Sequence, residues 1–256
     1  MTSMNKHPFS LFFCFLLISC QHVNDKKASE FTSQNDEAII IGNEGSHLPY
    51  LFKDVLGDLY ISWVEEIGDS AAFYYSKSEI ESKWSSPQLI TRGADWFINW
   101  ADYPMVSTRS GKNFLAHFLP KSGEGTFHYD VAYINSNDSG VSWTSPKIIH
   151  DDGIKAEHGF VSMLPYKDGY FVCWLDGRNT HAEDVHQGQM TLRAAVLSIS
   201  GEKVQEWELD ERVCDCCQTG AAITSNGPVV VYRNRSEEEI RDIYITRLVD
   251  NKWTEP

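Results

Sequence analysis

Four polar residues recur at the same point of a repeated pattern, where they could form a common site. Each stands two positions before the residue that aligns the first strand of its repeat, and together they are His47, Asp102, His158 and Gln218. If the four repeats pack around one axis, their first strands are innermost and these side chains ring the central channel. Such a ring could bind a polar ligand or a metal ion, or simply line a hydrated channel.

More ionisable residues fall on the same rim, because the second strand of each repeat runs antiparallel to the first and returns to the same face. These residues are Glu65, Asp176, Arg178, Arg233 and Arg235. For acid/base chemistry the candidate beside His158 is Glu157. Glu157 could equally be an exposed loop carboxylate, and Asp102 could serve only as channel lining.

The arginines of this rim are candidate substrate-binding residues. A guanidinium fork suits a carboxylate through paired charge-assisted bonds, whereas the alternative is an ion pair with one of the many nearby acids. The predicted substrate-binding set is Arg178, Arg233, Arg235, His47, His158 and Gln218.

No cofactor is assigned from the sequence, although His47, His158 and Asp102 would be acceptable ligands for a divalent zinc, copper or manganese ion. The segment Cys214-Asp-Cys216-Cys217 leaves two alternatives open. One is a soft-metal thiolate site that includes the axial histidines. The other is a disulfide, to Cys173 or to blades beyond this sequence, which export would allow.

The elements that must position these residues are short β-strands. Each repeat has a strand rich in aromatic and β-branched residues after a glycine-containing turn, and then closes on a tryptophan. The closing tryptophans are Trp84, Trp143, Trp207 and Trp253, spaced 46 to 64 residues apart. A repeated order of about four strands per period predicts an all-β fold, a β-propeller with about four blades over residues 38–256. A plain β-sandwich explains the strands but not their repeated order.

One repeat carries a sharper motif, Ser-x-Asp-x-Gly-x-x-Trp, formed by Ser136, Asp138, Gly140 and Trp143. Asp138 can accept bonds from turn amides, Gly140 can adopt a left-handed conformation and Trp143 can cover the hairpin. The segment resembles the Asp-box (BNR repeat) of sialidases, which is a folding device and does not mark catalysis. Arg178 and Arg233 resemble the arginines that bind the sugar carboxylate in that family.

The sialidase-like resemblance implies a six-bladed propeller that acts on a glycan at its axis. Because about four blades can be identified in the sequence, the resemblance implies that this sequence is a C-terminally truncated fragment. The family's Arg-Ile-Pro motif corresponds here to His47-Leu-Pro49, which lacks the arginine. Sialidases use a tyrosine nucleophile with an aspartate as acid/base, and that tyrosine falls in the late blades. The resemblance implies Asp95 and Asp102, in the loop entering the second blade, as candidates for the acid/base.

The first 37 residues are predicted to lie outside the fold. Residues 1–19 have the character of a lipoprotein signal peptide, because the apolar run Phe9 to Ile18 is too short to span a bilayer and ends in Leu17-Ile18-Ser19-Cys20. Cys20 is the predicted lipidation site, with an ordinary secretory signal as the alternative. Residues 20–37 read as a flexible tether. Gln21 after Cys20 favours delivery to the outer membrane of a bacterial envelope.

The formal net charge of −14 excludes a nucleic-acid partner, since no run of lysine or arginine is present to neutralise phosphates. The expected partner is a glycan or glycoconjugate, with the membrane reached through the lipid anchor only. The leading hypothesis is a surface-anchored exo-glycosidase, a sialidase-like glycoside hydrolase. The alternatives are a non-catalytic lipoprotein that binds glycan or protein, and a metal-dependent enzyme that uses the axial histidines.

Overall fold

The computed structural model describes residues 39–79, 83–180 and 188–256. The chain divides into two units, of which the second runs from Ile40 to Pro256, and the description below concerns that unit alone. The predicted signal peptide, the lipidation site Cys20 and the tether lie outside the described residues and stay predictions. Within the described ranges, no helix is long and apolar enough to span a membrane.

Among the described residues, sixteen strands form four antiparallel sheets of four strands, each sheet a meander in chain order. The first sheet contains β1 (Ser46–Lys53), β2 (Leu59–Ile67), β3 (Ser70–Lys77) and β4 (Gln88–Ala94); the second contains β5 (Met105–Thr108), β6 (Phe114–Phe118), β7 (Ala132–Ser136) and β8 (Lys147–Ile148). The third contains β9 (His158–Tyr166), β10 (Gly169–Asp176), β11 (Thr191–Ser198) and β12 (Lys203–Asp210); the fourth contains β13 (Gly220–Thr224), β14 (Gly227–Arg233), β15 (Ile243–Val249) and β16 (Lys252–Trp253).

Apolar side chains fill the space between successive sheets. One cluster joins the first sheet to the second, around Phe73 and Phe114. A second, around Leu115 and Trp174, joins the second sheet to the third, and a third cluster joins the third sheet to the fourth. The first strands of neighbouring sheets also contact one another, β5 with β9 and β9 with β13. Sheets that pack face to face in chain order, with their first strands adjacent, have the arrangement of propeller blades.

The all-β prediction is confirmed, and so are four blades of four antiparallel strands. The six-bladed sialidase type is not confirmed, because the described residues form four blades. It stays a prediction for a longer chain.

The turn after β7 has the geometry that its sequence predicts. The Asp138 carboxylate accepts hydrogen bonds from the Ser142 amide at 2.9 Å and the Ser142 hydroxyl at 2.6 Å. These bonds, together with one from Ser136, lower the pKa of Asp138 to about 2. Gly140 has a φ of 82°, and Trp143 packs 6.0 Å from the Phe114 ring. The turn therefore stabilises the hairpin, while its membership of the Asp-box class stays a prediction.

Irregular backbone interrupts two first strands close to their predicted site residues. In β1, Leu48 follows His47 with a φ of 55°, and the register with β2 shifts there. In β9, Phe160 has a φ of 54°, and the register with β10 shifts at the same place. Left-handed φ values are unfavourable for such bulky residues, so both are β-bulges held by their surroundings. They redirect the side chains at the start of each strand.

Candidate functional site

Asp102, Tyr129 and Glu157 meet at the boundary between the second and third blades. Asp102 precedes β5, Tyr129 precedes β7 and Glu157 immediately precedes β9. The Tyr129 hydroxyl lies 2.9 Å from Asp102 Oδ2 and 3.0 Å from Glu157 Oε1, so the two carboxyl oxygens are at most about 6 Å apart. A phenol has one proton and can donate to only one of them. The arrangement is therefore complete when the other carboxyl group carries a proton.

Asp102 is enclosed, with 1% of its surface exposed. Burial raises its pKa to about 7, although the Phe160 amide and the Tyr129 hydroxyl act to lower it. The Phe160 N–H donates to Asp102 Oδ1 at 2.9 Å, and both of these partners are neutral. Gly159 allows this close approach, because any Cβ there would collide with the Asp102 carboxylate. Asp102 is thus a carboxyl group that can hold a proton near neutral pH.

Glu157 is the more accessible member of the pair, being only half-buried. Burial, with smaller contributions from the negative charges of Asp102 and Asp215, raises its pKa to about 7 against the bond from Tyr129. Its backbone is fixed by a parallel bridge to Tyr129 and by the Gly177 N–H, which donates to the Glu157 carbonyl at 2.9 Å. A positioned glutamate with this pKa is suited to general acid catalysis.

A second polar cluster lies beside the first and contains His158. The His150 and His158 rings stack with centroids 3.7 Å apart and planes within 5°. Asp152 Oδ2 lies 3.0 Å from His150 Nδ1 and 3.3 Å from His158 Nε2. Asp130 Oδ1 lies near the other ring nitrogen of His150, 3.5 Å from Nε2. His158 has no exposed surface, so it joins the second blade to the third from within.

Arg178 completes this cluster at the end of β10. Its Nε and Nη2 donate to the two oxygens of Asp176 at 2.7 and 2.8 Å, and Trp174 Nε1 donates to Asp176 Oδ2 at 2.8 Å. Burial acts to raise the pKa of Asp176, but these bonds and the charges of Arg178 and His158 lower it to about 2. Asp176 is therefore a fixed negative charge, and the Arg178 guanidinium is already hydrogen-bonded to it.

Two groups of histidine and aspartate ligand atoms are close enough together to hold a metal ion: Asp130, His150 and His158, and Asp152, His158 and Asp176. Neither group contains His47 or Asp102, with which His158 was predicted to share a divalent ion. In the first group the parallel rings would place a shared ion outside both ring planes, where imidazole nitrogens do not bind metals well. The second group stays a candidate, although both oxygens of Asp176 already accept hydrogen bonds from Arg178.

The other predicted site residues have separate local contacts, and their place on a common rim stays a prediction. His47 Nε2 lies 3.3 Å from Glu66, in the first blade. Gln218 is exposed, and its amide donates to the Val161 carbonyl at 2.9 Å. Asp95 is exposed directly after β4 with a φ of 57°.

The rim carboxylate Glu65 accepts from Trp63 Nε1 at 3.0 Å. Burial acts to raise its pKa, but the bonds from Trp63, Asn43 and Ser46 lower it. Trp63-x-Glu65 in the first blade thus repeats the arrangement of Trp174-x-Asp176 in the third.

The two late arginines also have partners. Arg235 Nε donates to Glu239 at 2.8 Å, and Arg233 Nη1 lies 3.6 Å from Cys217 Sγ. The four cysteines of the described residues are free thiols. Cys173 is buried against Thr219, whereas the sulfurs of Cys214, Cys216 and Cys217 converge.

Several residues of both clusters were not predicted from the sequence. They are Tyr129, Asp130, His150, Asp152 and Asp215, and all lie in loops outside the repeated strands. The one available signal was a concentration of polar residues: His150, Asp151 and Asp152 are consecutive, separated by one residue from the end of β8 and shortly before Glu157 and His158. Loop residues have no strand periodicity, so their direction could not be inferred.

No protein-family model matches the chain, and no curated protein does. Among solved structures, the chain is similar to a Penicillium chrysogenum alpha-L-arabinanase complexed with arabinobiose, with 15% identity and a TM-score of 0.53 over 81% of this chain and 63% of that one. This chain therefore spans less than two thirds of that arabinanase. A putative glycoside hydrolase from Bacteroides ovatus matches with 14% identity and a TM-score of 0.48, over 82% and 72% of the two chains.

At this level of identity, the likeness to the arabinanase shows the fold alone. The blades described above therefore form part of a β-propeller. Which residues act, and on what, depends on the geometry of this chain.

Proposed function

We propose that this propeller is a glycoside hydrolase in which Glu157 is the general acid and Asp102 and Tyr129 control its proton. The observation that carries the proposal is the hydrogen-bonded series Asp102–Tyr129–Glu157, with both carboxyl pKa values raised to about 7. Glycosidic bonds break when a carboxylic acid protonates the leaving oxygen while a second carboxylate acts on the other side of the sugar.

The roles within the series follow from burial. Glu157 has exposed surface and can reach a leaving-group oxygen, whereas Asp102 is enclosed and cannot. Tyr129 connects them, so a proton given up by Glu157 can be replaced through the phenol from Asp102. We assign the second carboxylate to Asp215, which is half-buried and whose charge acts on Glu157. Asp95, the third acid predicted from the sequence, has no such support.

The arginines support a neutral substrate rather than a sialoside. Arg178 is paired with Asp176, and Arg235 is paired with Glu239. A sugar carboxylate would have to displace these partners, and the net charge of −14 would oppose its approach. The sialidase-like activity implied by the resemblance is therefore the less favoured form of this proposal. The arabinobiose bound by the similar arabinanase makes arabino-oligosaccharides the first neutral probes.

The test is hydrolysis by the full-length chain of arabino-oligosaccharides, other neutral oligosaccharides and a sialoside. Glu157→Gln should lower kcat by about 100-fold or more, because general acid catalysis contributes on that scale. The matched control is Glu237→Gln, at an exposed glutamate in the loop between β14 and β15, and it should act like wild type. Activity of the wild type should decline above pH 7, as Glu157 loses its proton.

Hydrolysis that survives Glu157→Gln would refute the assignment of the acid. A second candidate function is glycan binding without catalysis, which is favoured by one observation: both oxygens of Asp102 are already hydrogen-bonded. Binding of an oligosaccharide by wild type and Glu157→Gln alike, with no turnover by either, would select it. In both cases a lipid anchor at Cys20 would hold the propeller at the bacterial envelope, which remains a prediction.

A further inference from the structure

We infer that Cys214, Cys216 and Cys217 form a binding site for a soft metal ion, Cu(I) or Zn(II). The three cysteines occupy the turn between β12 and β13, within four consecutive residues. The inference does not depend on hydrolase activity, because none of these thiols belongs to the Asp102–Tyr129–Glu157 series. Asp215, the proposed second carboxylate, lies between Cys214 and Cys216, so metal binding and hydrolysis are measured separately.

The spacing of the sulfur atoms is that of ligands to one ion. Cys214 Sγ lies 3.8 Å from Cys216 Sγ and 3.5 Å from Cys217 Sγ, and all three atoms lie within 4.8 Å of one another. Two thiolates bound tetrahedrally to one ion at about 2.3 Å are about 3.8 Å apart. A disulfide would need about 2.05 Å between two sulfurs and would leave the third unused.

Backbone hydrogen bonds to two blades hold the start of the turn. The Cys214 N–H donates to the Arg233 carbonyl at 2.9 Å, and the Val213 N–H donates to the Met190 carbonyl at 2.9 Å. The residue before the turn is thus fixed to the third blade, and its first cysteine to the end of β14. Three sulfurs that converge on a fixed backbone need little rearrangement to bind an ion.

Arg233 supplies the charge that such a site requires. Its Nη1 lies 3.6 Å from Cys217 Sγ, where it can hydrogen-bond to a thiolate, and its Nε donates to the Arg241 carbonyl at 3.4 Å. Three thiolates around Cu(I) or Zn(II) have a net negative charge, so an adjacent guanidinium stabilises the complex. Arg233, predicted to hold a sugar carboxylate, is in this interpretation an outer partner of the metal site.

Exposure provides the entry path. Cys214 is buried, Cys217 is half-buried and Cys216 is exposed, so an ion can arrive at Cys216 and move inward. Among the described residues the cluster offers three thiolates. Thiolate sulfur selects Cu(I) and Zn(II) over harder ions. Three sulfurs would complete a trigonal Cu(I) site, and they would leave one open position on tetrahedral Zn(II).

The test is metal binding by the full-length chain, reduced and kept without oxygen. Cu(I) is added against a coloured Cu(I) chelator and Zn(II) against a fluorescent Zn(II) chelator, and cysteine alkylation is mapped by mass spectrometry. We expect one ion per chain and protection of the three clustered cysteines from alkylation. The metal is identified by whether the protein withdraws the ion from the Cu(I) chelator or from the Zn(II) chelator.

The variants separate the site from other thiols. Cys216→Ser should weaken binding by more than about 100-fold, beyond what loss of an outer partner costs, and Arg233→Met should weaken it by about tenfold. The controls are Cys173→Ser, at a thiol buried against Thr219, and Arg247→Met, at an exposed arginine of β15; both should bind like wild type.

The inference is overturned if the reduced chain takes neither ion from micromolar chelators, or if Cys173→Ser weakens binding as much as Cys216→Ser. It is also overturned if bound metal leaves the three clustered cysteines open to alkylation. A thermal melt of each variant, without metal, shows whether a loss of binding reflects unfolding.

Discussion

Two buried carboxyl groups on neighbouring blades have opposite protonation behaviour. Asp102 and Asp176 are both almost without exposed surface, yet the pKa of Asp102 is raised to about 7 and that of Asp176 is lowered to about 2. Asp102 is hydrogen-bonded by a phenol and a backbone amide, whereas Asp176 is gripped by the Arg178 guanidinium. The charge of the partner, rather than burial, decides whether the carboxyl group is ionised.

The different environments of Asp102 and Asp176 indicate different functions for the two clusters. The carboxyl groups bound to Tyr129 can exchange a proton near neutral pH, which is what acid catalysis needs. In the cluster of His158, Asp176 and Arg178, the aspartate and the arginine keep fixed charges, whereas burial lowers the pKa of His158. The cluster joins the second blade to the third. Glu157 and His158 are adjacent in sequence, so the second cluster also fixes the backbone that presents the candidate acid.

Replacing Arg178, the cation paired with Asp176, should have the largest effect on the free energy of unfolding. Arg178→Met would leave Asp176 buried and unpaired, and breaking a buried ion pair from one side costs about 3–5 kcal/mol. We expect a loss of that size in the free energy of unfolding, measured by denaturant titration at pH 7. A loss under about 1 kcal/mol would show that Asp176 is not held by this charge.

Asp102→Asn should change how stability depends on pH. A carboxyl group whose pKa is raised on folding, from 3.8 to about 7, favours the folded state at low pH and loses that contribution as pH rises between these values. The wild type should therefore lose stability relative to Asp102→Asn from pH 4 to pH 7, by at most about 1.4 kcal/mol per pH unit.

The Asp176→Asn variant provides the opposite case. The pKa of Asp176 falls on folding from 3.8 to about 2, so its contribution is present above pH 4 and is lost as the pH falls through 2. Denaturant titrations at intervals from pH 2 to pH 8 check both variants. Parallel profiles for the two would contradict the contrast.

Tyr129→Phe should have an intermediate effect. It deprives Asp102 and Glu157 of a shared donor, and an unsatisfied buried acceptor costs about 1–3 kcal/mol. The matched control is Tyr74→Phe, where the ring stacks on Trp63 and the change should be near zero. Thermal unfolding at pH 6 and pH 8 measures both. Because carboxylates need the donor more when ionised, the Tyr129 effect should be larger at pH 8.

The smallest effect is expected for an ion pair in solvent. Lys77 Nζ lies 2.6 Å from Asp58 Oδ2, and both side chains are 41% exposed. Lys77→Met should change the free energy of unfolding by no more than about 1 kcal/mol, as exposed pairs generally do. If this loss matched that of Arg178→Met in the same denaturant titration, burial of the partner would not explain the larger value.

The repeated strands were predictable because each blade repeats the order of a glycine turn, an aromatic strand and a closing tryptophan. The pairing of Asp102 with Glu157 was only partly predictable. Both were named as candidate acids, but the phenol that connects them lies in a loop with no repeat. The pairing of Arg178 with Asp176 was easier to predict, since an acid and an arginine two residues apart at a strand end can form a local ion pair.

The position of His158 could not be read from the repeat. His47 and His158 align by strand, but the left-handed residue follows directly after His47 and one residue later after His158. A one-residue difference in a bulge reverses which side of the sheet a side chain faces. His158 is consequently enclosed between blades, where an alignment of strands placed it on the channel.

The same bulge has a mechanical consequence. By leaving the regular ladder at Phe160, the third blade frees one amide to reach the Asp102 carboxylate on the loop before the second blade's first strand. The Asp102 carboxyl group thus links the two blades through this hydrogen bond. If the two blades separated at this contact, water would reach Asp102 and its pKa would fall towards that of an exposed aspartate, because burial is what raises it.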